Sequence, residues 1–211
     1  MKAAVRGLYA VTPDIADTSE LEAKVEAALT GGAALVQYRN KTADLELRMV
    51  QAGALRALCR AHGVPLIVND HVELARALDA DGLHLGKEDT LVSQARTQLG
   101  PEKLLGASCY DCLENAIAAV RAGADHVAFG SFFASAVKPG AVRAPLVLLR
   151  EARLRLGVPI VAIGGITLEN APQLIAAGAD ALAVISALFL APDICVAARR
   201  FNELFKTTLR T

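Results

Sequence analysis

Three features of the sequence predict an α/β fold, a single-domain (β/α)8 TIM barrel with an all-parallel, eight-stranded sheet. Eight short apolar runs alternate with eight segments of helical pattern along the 211 residues. One run and one helical segment take about 26 residues together, which fits a short strand, a helix of about three turns and two tight loops. The runs are apolar on both faces, as buried parallel strands are. The third feature is a weak internal repeat.

Each apolar run is a predicted strand. In order, the runs are RGLYAVT, AALVQYR, PLIVND, GLHLG, KLLGAS, HVAFGS, PIVAIGG and ALAVIS. The predicted helices are Leu21–Thr30, Leu45–Ala61, Val72–Leu78, Leu91–Gln98, Leu113–Arg121, Leu146–Leu156, Ala171–Ala176 and Ile194–Phe205. Because no linker or low-complexity segment interrupts this alternation, we expect residues 1–211 to form one domain. A doubly wound open sheet is the alternative.

The internal repeat lies at the joints between helices and strands. The segments TGGAALV, DADGLHL, AGADHVAF and AGADALAV precede the second, fourth, sixth and eighth runs. In each joint we expect the glycine to end a helix and the Asp or Ala to lead into a parallel strand. Eight such units most simply close into a barrel, near the lower size limit of that fold.

The composition allows a large core and argues against some partners. The chain is 54% hydrophobic, its mean hydropathy is +0.38 and 21% of its residues are charged. Its 22 basic and 22 acidic residues give a net charge of zero, which argues against general nucleic-acid binding. An anion would therefore be held by local charges.

Membrane and redox signals are weak in this sequence. No apolar run reaches the roughly 18 residues of a membrane span, and MKAAVRGLYAV is too short for a secretory signal, so we expect a cytoplasmic protein. Cys109 and Cys112 form a CxxC pair without a second pair. Incidental reduced thiols are expected, with a redox or metal role as the alternative.

Polar residues follow the predicted strands, where the active site of a barrel lies. Gln37, Arg39 and Lys41 alternate along the second strand and therefore share one face. Further polar or glycine positions after the later strands are Asn69, Asp70, Lys87, Asp89, Ser108, Lys138, Gly164–Gly165 and Ser186. These side chains are therefore expected to gather at one mouth of the barrel.

Three kinds of group in this set indicate two anion sites. Arg39, Lys41 and Lys138 suit phosphate, and Asp70 and Asp89 among these cations suggest Mg²⁺ held by carboxylates and substrate oxygens. The third kind is backbone amides, at Gly164–Gly165 and Ile185–Ser186, which would hold a second phosphate. The alternatives are that Asp70 and Asp89 only cap helices and that the two glycines only form a tight turn.

The four histidines give no metal-ligand spacing. His71, His84 and His126 are expected to be structural, and His62 is expected to lie at a helix end. No Ser, Cys or Lys lies in a recognisable nucleophile motif.

Eight motifs, in this order and spacing, resemble the thiamine-phosphate synthase family. They are LYAVTPD, VQYRNK, LIVND, GLHLGKED, GAS, FGSFFASAVKPGA, VAIGGI and VISAL. The resemblance covers nearly the whole chain. It implies an enzyme that joins a hydroxymethylpyrimidine diphosphate to a thiazole phosphate and releases pyrophosphate with Mg²⁺ as cofactor. It implies small-molecule substrates, and a homo-oligomer is possible.

The resemblance also implies roles for individual residues. The pyrimidine diphosphate would be bound by Gln37, Arg39, Lys41, Asn69, Ser108 and Lys138, of which Arg39, Lys41, Ser108 and Lys138 would be catalytic. Asp70 and Asp89 would hold Mg²⁺. The thiazole phosphate would be held by Ser135, Ala136, Val137, Gly165, Ile185 and Ser186. Two positions, Ser131 and Val137, depart from the family pattern, and Val137 lacks the hydroxyl that would donate a hydrogen bond to this phosphate.

Three other functions are compatible with parts of the sequence. A thiazole tautomerase relative would bind the thiazole without coupling it, but such relatives have a histidine in the loop after the sixth strand, where this chain has GSFF. A non-catalytic sensor of thiamine precursors would have no use for both acids and Lys138. A sugar-phosphate epimerase is the third alternative.

Overall fold

The computed structural model describes residues 4–86, 89–134 and 143–207. Eight parallel strands form a closed barrel in chain order, with β8 paired to β1. The strands are β1 (Gly7–Val11), β2 (Leu35–Tyr38), β3 (Leu66–Asn69), β4 (Gly82–Leu85), β5 (Leu104–Tyr110), β6 (His126–Phe129), β7 (Ile160–Ile163) and β8 (Ala181–Val184). The closed sheet confirms the predicted (β/α)8 fold and excludes the open alternative.

Nine helices lie in the described ranges, one more than the sequence predicts. They are α1 (Thr18–Thr30), α2 (Leu45–Ala61), α3 (Val72–Ala77), α4 (Val92–Leu99), α5 (Leu113–Arg121), α6 (Val147–Arg155), α7 (Ala171–Ala176), α8 (Ser186–Phe189) and α9 (Ile194–Thr207). The additional helix, α8, is too short to show a helical period, and its residues continue the apolar run of β8. None of the described helices is both long and apolar enough to cross a membrane.

The start of α1 shows the largest difference between a predicted and an observed helix limit. The helix begins three residues before Leu21, at Thr18, because the carboxylate of Asp17 accepts the backbone N–H of Glu20 at 2.7 Å. This is an ordinary N-cap. The residues between this cap and Leu21 are polar, so the spacing of apolar residues does not reveal the first turn of the helix.

Two apolar layers hold the barrel together, and they follow from the alternation of side chains along each strand. Leu8, Val36 and Val68 are buried between the barrel and its helices. Tyr9 and Leu35, one position away on the same strands, belong to the layer inside the barrel.

Three aspartates at the amino-terminal end of the barrel explain the internal repeat. Asp81, Asp125 and Asp180 precede β4, β6 and β8, and each donates its backbone N–H to a carbonyl group on the odd-numbered strand before it. Each carboxylate accepts the N–H of that same residue at 2.9 Å. The three partners are Leu66, Leu105 and Ile160. These reciprocal pairs extend the sheet by one step at the joints before β4, β6 and β8.

One of these joints differs from the prediction. Gly32, Gly123 and Gly178 have φ values of 93°, 103° and 114° and end helices as expected. In DADGLHL the corresponding residue is Asp79, with φ 49°, whereas Gly82 is the first residue of β4. The expectation that the glycine ends this helix was therefore wrong. Gly82 is required for space, because a Cβ there would lie 2.4 Å from the carbonyl oxygen of Leu104.

Candidate active site

A cavity of about 420 Å³ opens at the carboxyl ends of the strands. Of the eight residues predicted to bind the pyrimidine diphosphate or Mg²⁺, seven line this cavity. They are Gln37, Arg39, Lys41, Asn69, Asp70, Asp89 and Ser108. They follow or end four neighbouring strands, so the parallel sheet brings distant parts of the chain to one mouth.

Side chains at the end of β2 alternate between the cavity and the helix layer. Gln37 lines the cavity, and its Nε2 donates a hydrogen bond to Tyr9 Oη at 3.0 Å. Tyr38 and Asn40 instead bond to Gln51 of α2, donating to its Oε1 at 3.0 Å each. Gln51 is completely buried and fixes the outer side of the segment that carries the two cations. Its role depends on tertiary contacts, which its place in a helix does not reveal.

The loop after β1 holds the two cations from the other side. The hydroxyl of Thr12 accepts the backbone N–H of Arg39 and donates to its carbonyl oxygen, at 2.8 Å in both cases. One carboxylate oxygen of Asp14 lies 3.2 Å from Arg39 Nη1 and accepts the backbone N–H of Lys41 at 2.8 Å. Asp14 was missed as a site residue, although it lies in the LYAVTPD motif.

Asp70 and Asp89 form a carboxylate pair at the mouth. Burial, followed by the hydrogen bond with Asp89 and the negative charge of Asp89, raises the pKa of Asp70. Lys41 Nζ, 3.5 Å from Asp70 Oδ2, acts in the opposite direction. Two carboxylates that approach so closely are stable when they share a proton or a cation.

The alternative in which these two residues cap helices is wrong. The N-caps of α3 and α4 are His71 and Leu91, and neither receives a side-chain capping bond. Asp70 has a positive φ of 64°, and Asp89 Oδ2 accepts the backbone N–H of Gly86 at 2.6 Å. Both carboxylates are therefore directed to the mouth by local backbone geometry.

The carboxylate pair fits Mg²⁺. This ion binds one or two carboxylates and completes its octahedron with water and phosphate oxygens. No group of three His, Cys, Asp or Glu residues that could hold a metal occurs in 4–86, 89–134 or 143–207. A cation at this position would therefore depend on oxygens that the described residues do not supply, as a bound diphosphate would.

A second cavity, of about 190 Å³, adjoins the first at the ends of β7 and β8. Gly165 and Ser186 line it, and Gly164 and Ile185 line both cavities. Gly164 and Gly165 have φ values of 103° and 61°, and a Cβ on Gly164 would lie 2.0 Å from Ser131 Oγ. The glycines thus form a tight turn and also let the backbone line the cavity.

Some predicted site residues lie outside the described ranges. They are Lys87, Ser135, Ala136, Val137 and Lys138. Their assignments stay predictions from the sequence.

Two buried histidines lie inside the barrel. His84, on β4, lines the main cavity, and its Nε2 lies 2.9 Å from Ser108 Oγ. The ring centroid of His126, on β6, is 5.7 Å from that of His84. Burial lowers the pKa of His84 to about 4 and that of His126 to about 3. His84 was expected to be only structural, because it lies within an apolar run and has no metal-ligand spacing.

A family model described as Thiamine monophosphate synthase matches residues 8–188 of the chain. The chain belongs to the thiamine monophosphate synthase family. The matched region runs from β1 into α8 and contains every described residue that lines the two cavities. The resemblance seen in the sequence motifs is confirmed.

Relatives of the family are similar over nearly the whole chain. Thiamine-phosphate synthase of Thiobacillus denitrificans is 56% identical over 199 residues, which are 94% of each protein. The protein of the same name from Nitrosospira multiformis is 55% identical over 202 residues, 96% of this chain and 86% of that relative. The solved structure of thiamine phosphate pyrophosphorylase from Pyrococcus furiosus has a TM-score of 0.85 at 34% identity and covers 96% of both chains.

More distant barrels share the fold alone. The (S)-3-O-geranylgeranylglyceryl phosphate synthase of Thermoplasma acidophilum has a TM-score of 0.74 at 18% identity. Family membership therefore distinguishes this chain from other proteins with the same barrel fold, which the fold alone does not.

Proposed function

We propose that this chain is a transferase that couples 4-amino-2-methyl-5-hydroxymethylpyrimidine diphosphate to thiazole phosphate, giving thiamine phosphate and pyrophosphate. Membership of the thiamine monophosphate synthase family supports this reaction. The observation that carries the proposal is the pair of adjoining cavities. One combines cations with facing carboxylates, and the other is lined largely by backbone and small residues.

The main cavity suits the pyrimidine diphosphate. Arg39 and Lys41 supply positive charge for the two phosphates, held in place by Asp14 and Thr12. The remaining residues assigned to this substrate are Gln37, Asn69, Ser108 and Lys138. Asp70 and Asp89 would hold Mg²⁺, which when bound neutralises charge on the departing pyrophosphate.

The smaller cavity suits the thiazole phosphate. The backbone at Gly165, Ile185 and Ser186 borders a space with no described cationic side chain in its lining. Backbone amides can hold phosphate in such a space. The sequence motif adds Ser135, Ala136 and Val137 to this site. The thiazole ring would then lie toward the main cavity, beside the methylene carbon that it attacks.

A dissociative substitution fits these groups. The bond between the pyrimidine methylene carbon and the diphosphate oxygen breaks, and its electron pair leaves with pyrophosphate. The electron-rich pyrimidine supports the resulting positive charge until the thiazole nitrogen donates its lone pair to the same carbon. The protein then needs to stabilise the leaving charge and exclude water, and no protein nucleophile is required.

The loop that contains Lys138 completes the proposal from the sequence alone. We expect Lys138→Ala to lower kcat roughly 10²–10³-fold if the ammonium group stabilises the developing charge. The loop around Gly140 is the proposed lid that excludes water. A Lys138→Ala enzyme with the wild-type kcat would remove this residue from the mechanism.

Pyrophosphate release from the purified protein tests the function. The pyrimidine diphosphate would be supplied with and without thiazole phosphate and with and without Mg²⁺. Release that needs all three components supports the coupling reaction. Binding of thiazole phosphate without any release would contradict it and favour the tautomerase or sensor alternative.

Further properties stay predictions. We propose that residues 1–211 form one domain, because β1 and β8 must pair to close the barrel and α9 packs against α1 and β1. A cytoplasmic location agrees with the free thiols of Cys109 and Cys112. A homo-oligomer stays possible, and no nucleic-acid partner is expected from the balanced charge.

A further inference from the structure

The hydroxyl group of Ser108 is held by a neighbouring strand as well as by its own. His84 on β4 pairs with Gly106 on β5, so that Ser108, two residues further along β5, lies on the same inner face. His84 Nε2 and Ser108 Oγ are 2.9 Å apart, and both residues line the main cavity. The imidazole is 7% exposed, so its orientation is fixed by packing.

The surroundings of His84 determine which of its nitrogens carries the proton. Nδ1 is buried and has no hydrogen-bond partner within the described part of the chain. A neutral imidazole has one N–H donor and one acceptor nitrogen. A buried N–H without an acceptor is rarer in proteins than an acceptor without a donor. The proton is therefore better placed on Nε2, where Ser108 Oγ accepts it.

A second histidine defines the other side of this ring. His126 is completely buried, and neither of its ring nitrogens has a partner among the described residues. A Cβ on Gly106 would lie 2.2 Å from His126 Nε2 and 2.5 Å from His84 Nδ1, so this glycine leaves room for both rings. The free side of His84 thus faces another neutral ring and a glycine.

We propose that His84 is a positioning residue that makes Ser108 a hydrogen-bond donor to the substrate. Its Nε2–H occupies a lone pair of Ser108 Oγ, which leaves the serine proton to point into the cavity. There the hydroxyl donates to an oxygen of the diphosphate as negative charge develops on the leaving group. This inference rests on the proposed function for the identity of the acceptor. The tautomer of His84 does not depend on that function.

Nitrogen NMR of the protein labelled with ¹⁵N-histidine tests the tautomer directly. The chain has four histidines, and a His84→Gln variant identifies the signals of this ring. We expect the proton on Nε2 in the protein without substrate. A proton on Nδ1 would make Ser108 the donor to the imidazole and would overturn the proposal, whether or not the protein couples the two substrates.

A double-mutant cycle tests the functional consequence. Loss of one donor to the leaving group costs roughly 10²-fold or more in kcat, so we expect this loss for Ser108→Ala. His84→Leu should approach the same loss, and the double variant should be no slower than Ser108→Ala alone, since His84 acts through the serine. Independent, multiplicative losses would contradict the proposal.

Two further variants separate positioning from a structural effect. His84→Gln keeps a side-chain N–H and should recover at least part of the kcat lost in His84→Leu, with the KM for thiazole phosphate unchanged. His62→Gln is the matched control, because His62 lies at the end of α2 beside Glu26 and is not among the residues that line the main cavity. Equal losses for His84→Gln and His84→Leu would overturn the requirement for the N–H donor.

Discussion

At the amino-terminal end of the barrel, Asp81, Asp125 and Asp180 each accept a backbone N–H in a repeated arrangement, whereas at the other end Asp70 and Asp89 face each other. Asp125 also lies 2.5 Å from Arg96, and Asp180 lies 3.0 Å from Arg153. The carboxylates of the first group all accept hydrogen bonds within the fold, and two of them also pair with an arginine. Those of the second group are placed where their charge is only partly offset.

The difference between the two ends is a difference in what stabilises a carboxylate. At the amino-terminal end each carboxylate accepts an N–H of the fold itself, so no ligand is needed as a partner. At the carboxyl end, burial and the charge of Asp89 raise the pKa of Asp70, so the ionised pair is unfavourable until a cation arrives. We therefore expect the loss of a carboxylate to lower activity but not stability at the carboxyl end, and to lower stability but not activity at the amino-terminal end.

The largest effect is expected for Asp70→Asn. Removal of this carboxylate should lower kcat roughly 10²–10³-fold and raise the Mg²⁺ concentration needed for half-maximal pyrophosphate release. The free energy of unfolding should stay the same or rise, because asparagine tolerates the positive φ and the repulsion with Asp89 disappears. Steady-state kinetics against Mg²⁺ and urea denaturation measure both. Wild-type kinetics for the Asp70→Asn variant would show that the carboxylate of Asp70 has no role in the reaction.

The converse result is expected for Asp125→Ala at the amino-terminal end. This change leaves the N–H of Leu105 without its acceptor and takes a partner from Arg96, which should lower the free energy of unfolding by about 2–3 kcal/mol. The kcat at 25 °C should be unchanged. Urea denaturation measures the loss. The control is Glu102→Ala, because Glu102 is exposed in the loop between α4 and β5. Equal stabilities of the two variants would contradict the role of this joint.

The residues that line the cavity at the carboxyl end were more predictable from the sequence than the residues that hold them in place. Parallel strands end at one edge, so polar residues that follow successive apolar runs were expected to meet, and Gln37, Asp70 and Ser108 do line one cavity. Asp14 and Gln51 could not be assigned in this way, because their partners are distant in the chain and only the folded structure brings them together.

The sequence repeat was predictable as a pattern, but the hydrogen bonds that its aspartates make were not. The joints with aspartate were visible in the sequence, but the reciprocal bonds of Asp125 need the register between β5 and the residues before β6. Asp79 took the position expected for a glycine because the left-handed region also admits aspartate. The four residues of α8 gave no periodic signal, since they span barely one turn.

The smallest effect is expected inside the barrel, between the two ends. Burial lowers the pKa of His126 to about 3, from about 6.5 in the unfolded chain. As the pH falls below 6.5, the unfolded state binds a proton that the folded state does not, so stability present above this pH is progressively lost. One such histidine costs about 1.4 kcal/mol between pH 7.5 and pH 5.5.

The variant His126→Phe isolates this contribution to stability. It keeps an apolar ring against Tyr9 and removes the titrating group, so its free energy of unfolding should fall about 1.4 kcal/mol less than that of the wild type between these pH values. His84 and His71, whose pKa values burial also lowers, contribute to both proteins and cancel in the comparison. Urea denaturation at the two pH values gives the difference. Parallel pH curves would mean that His126 is as easily protonated in the folded protein as in the unfolded chain, and the barrel interior would then have to supply it with an acceptor or water.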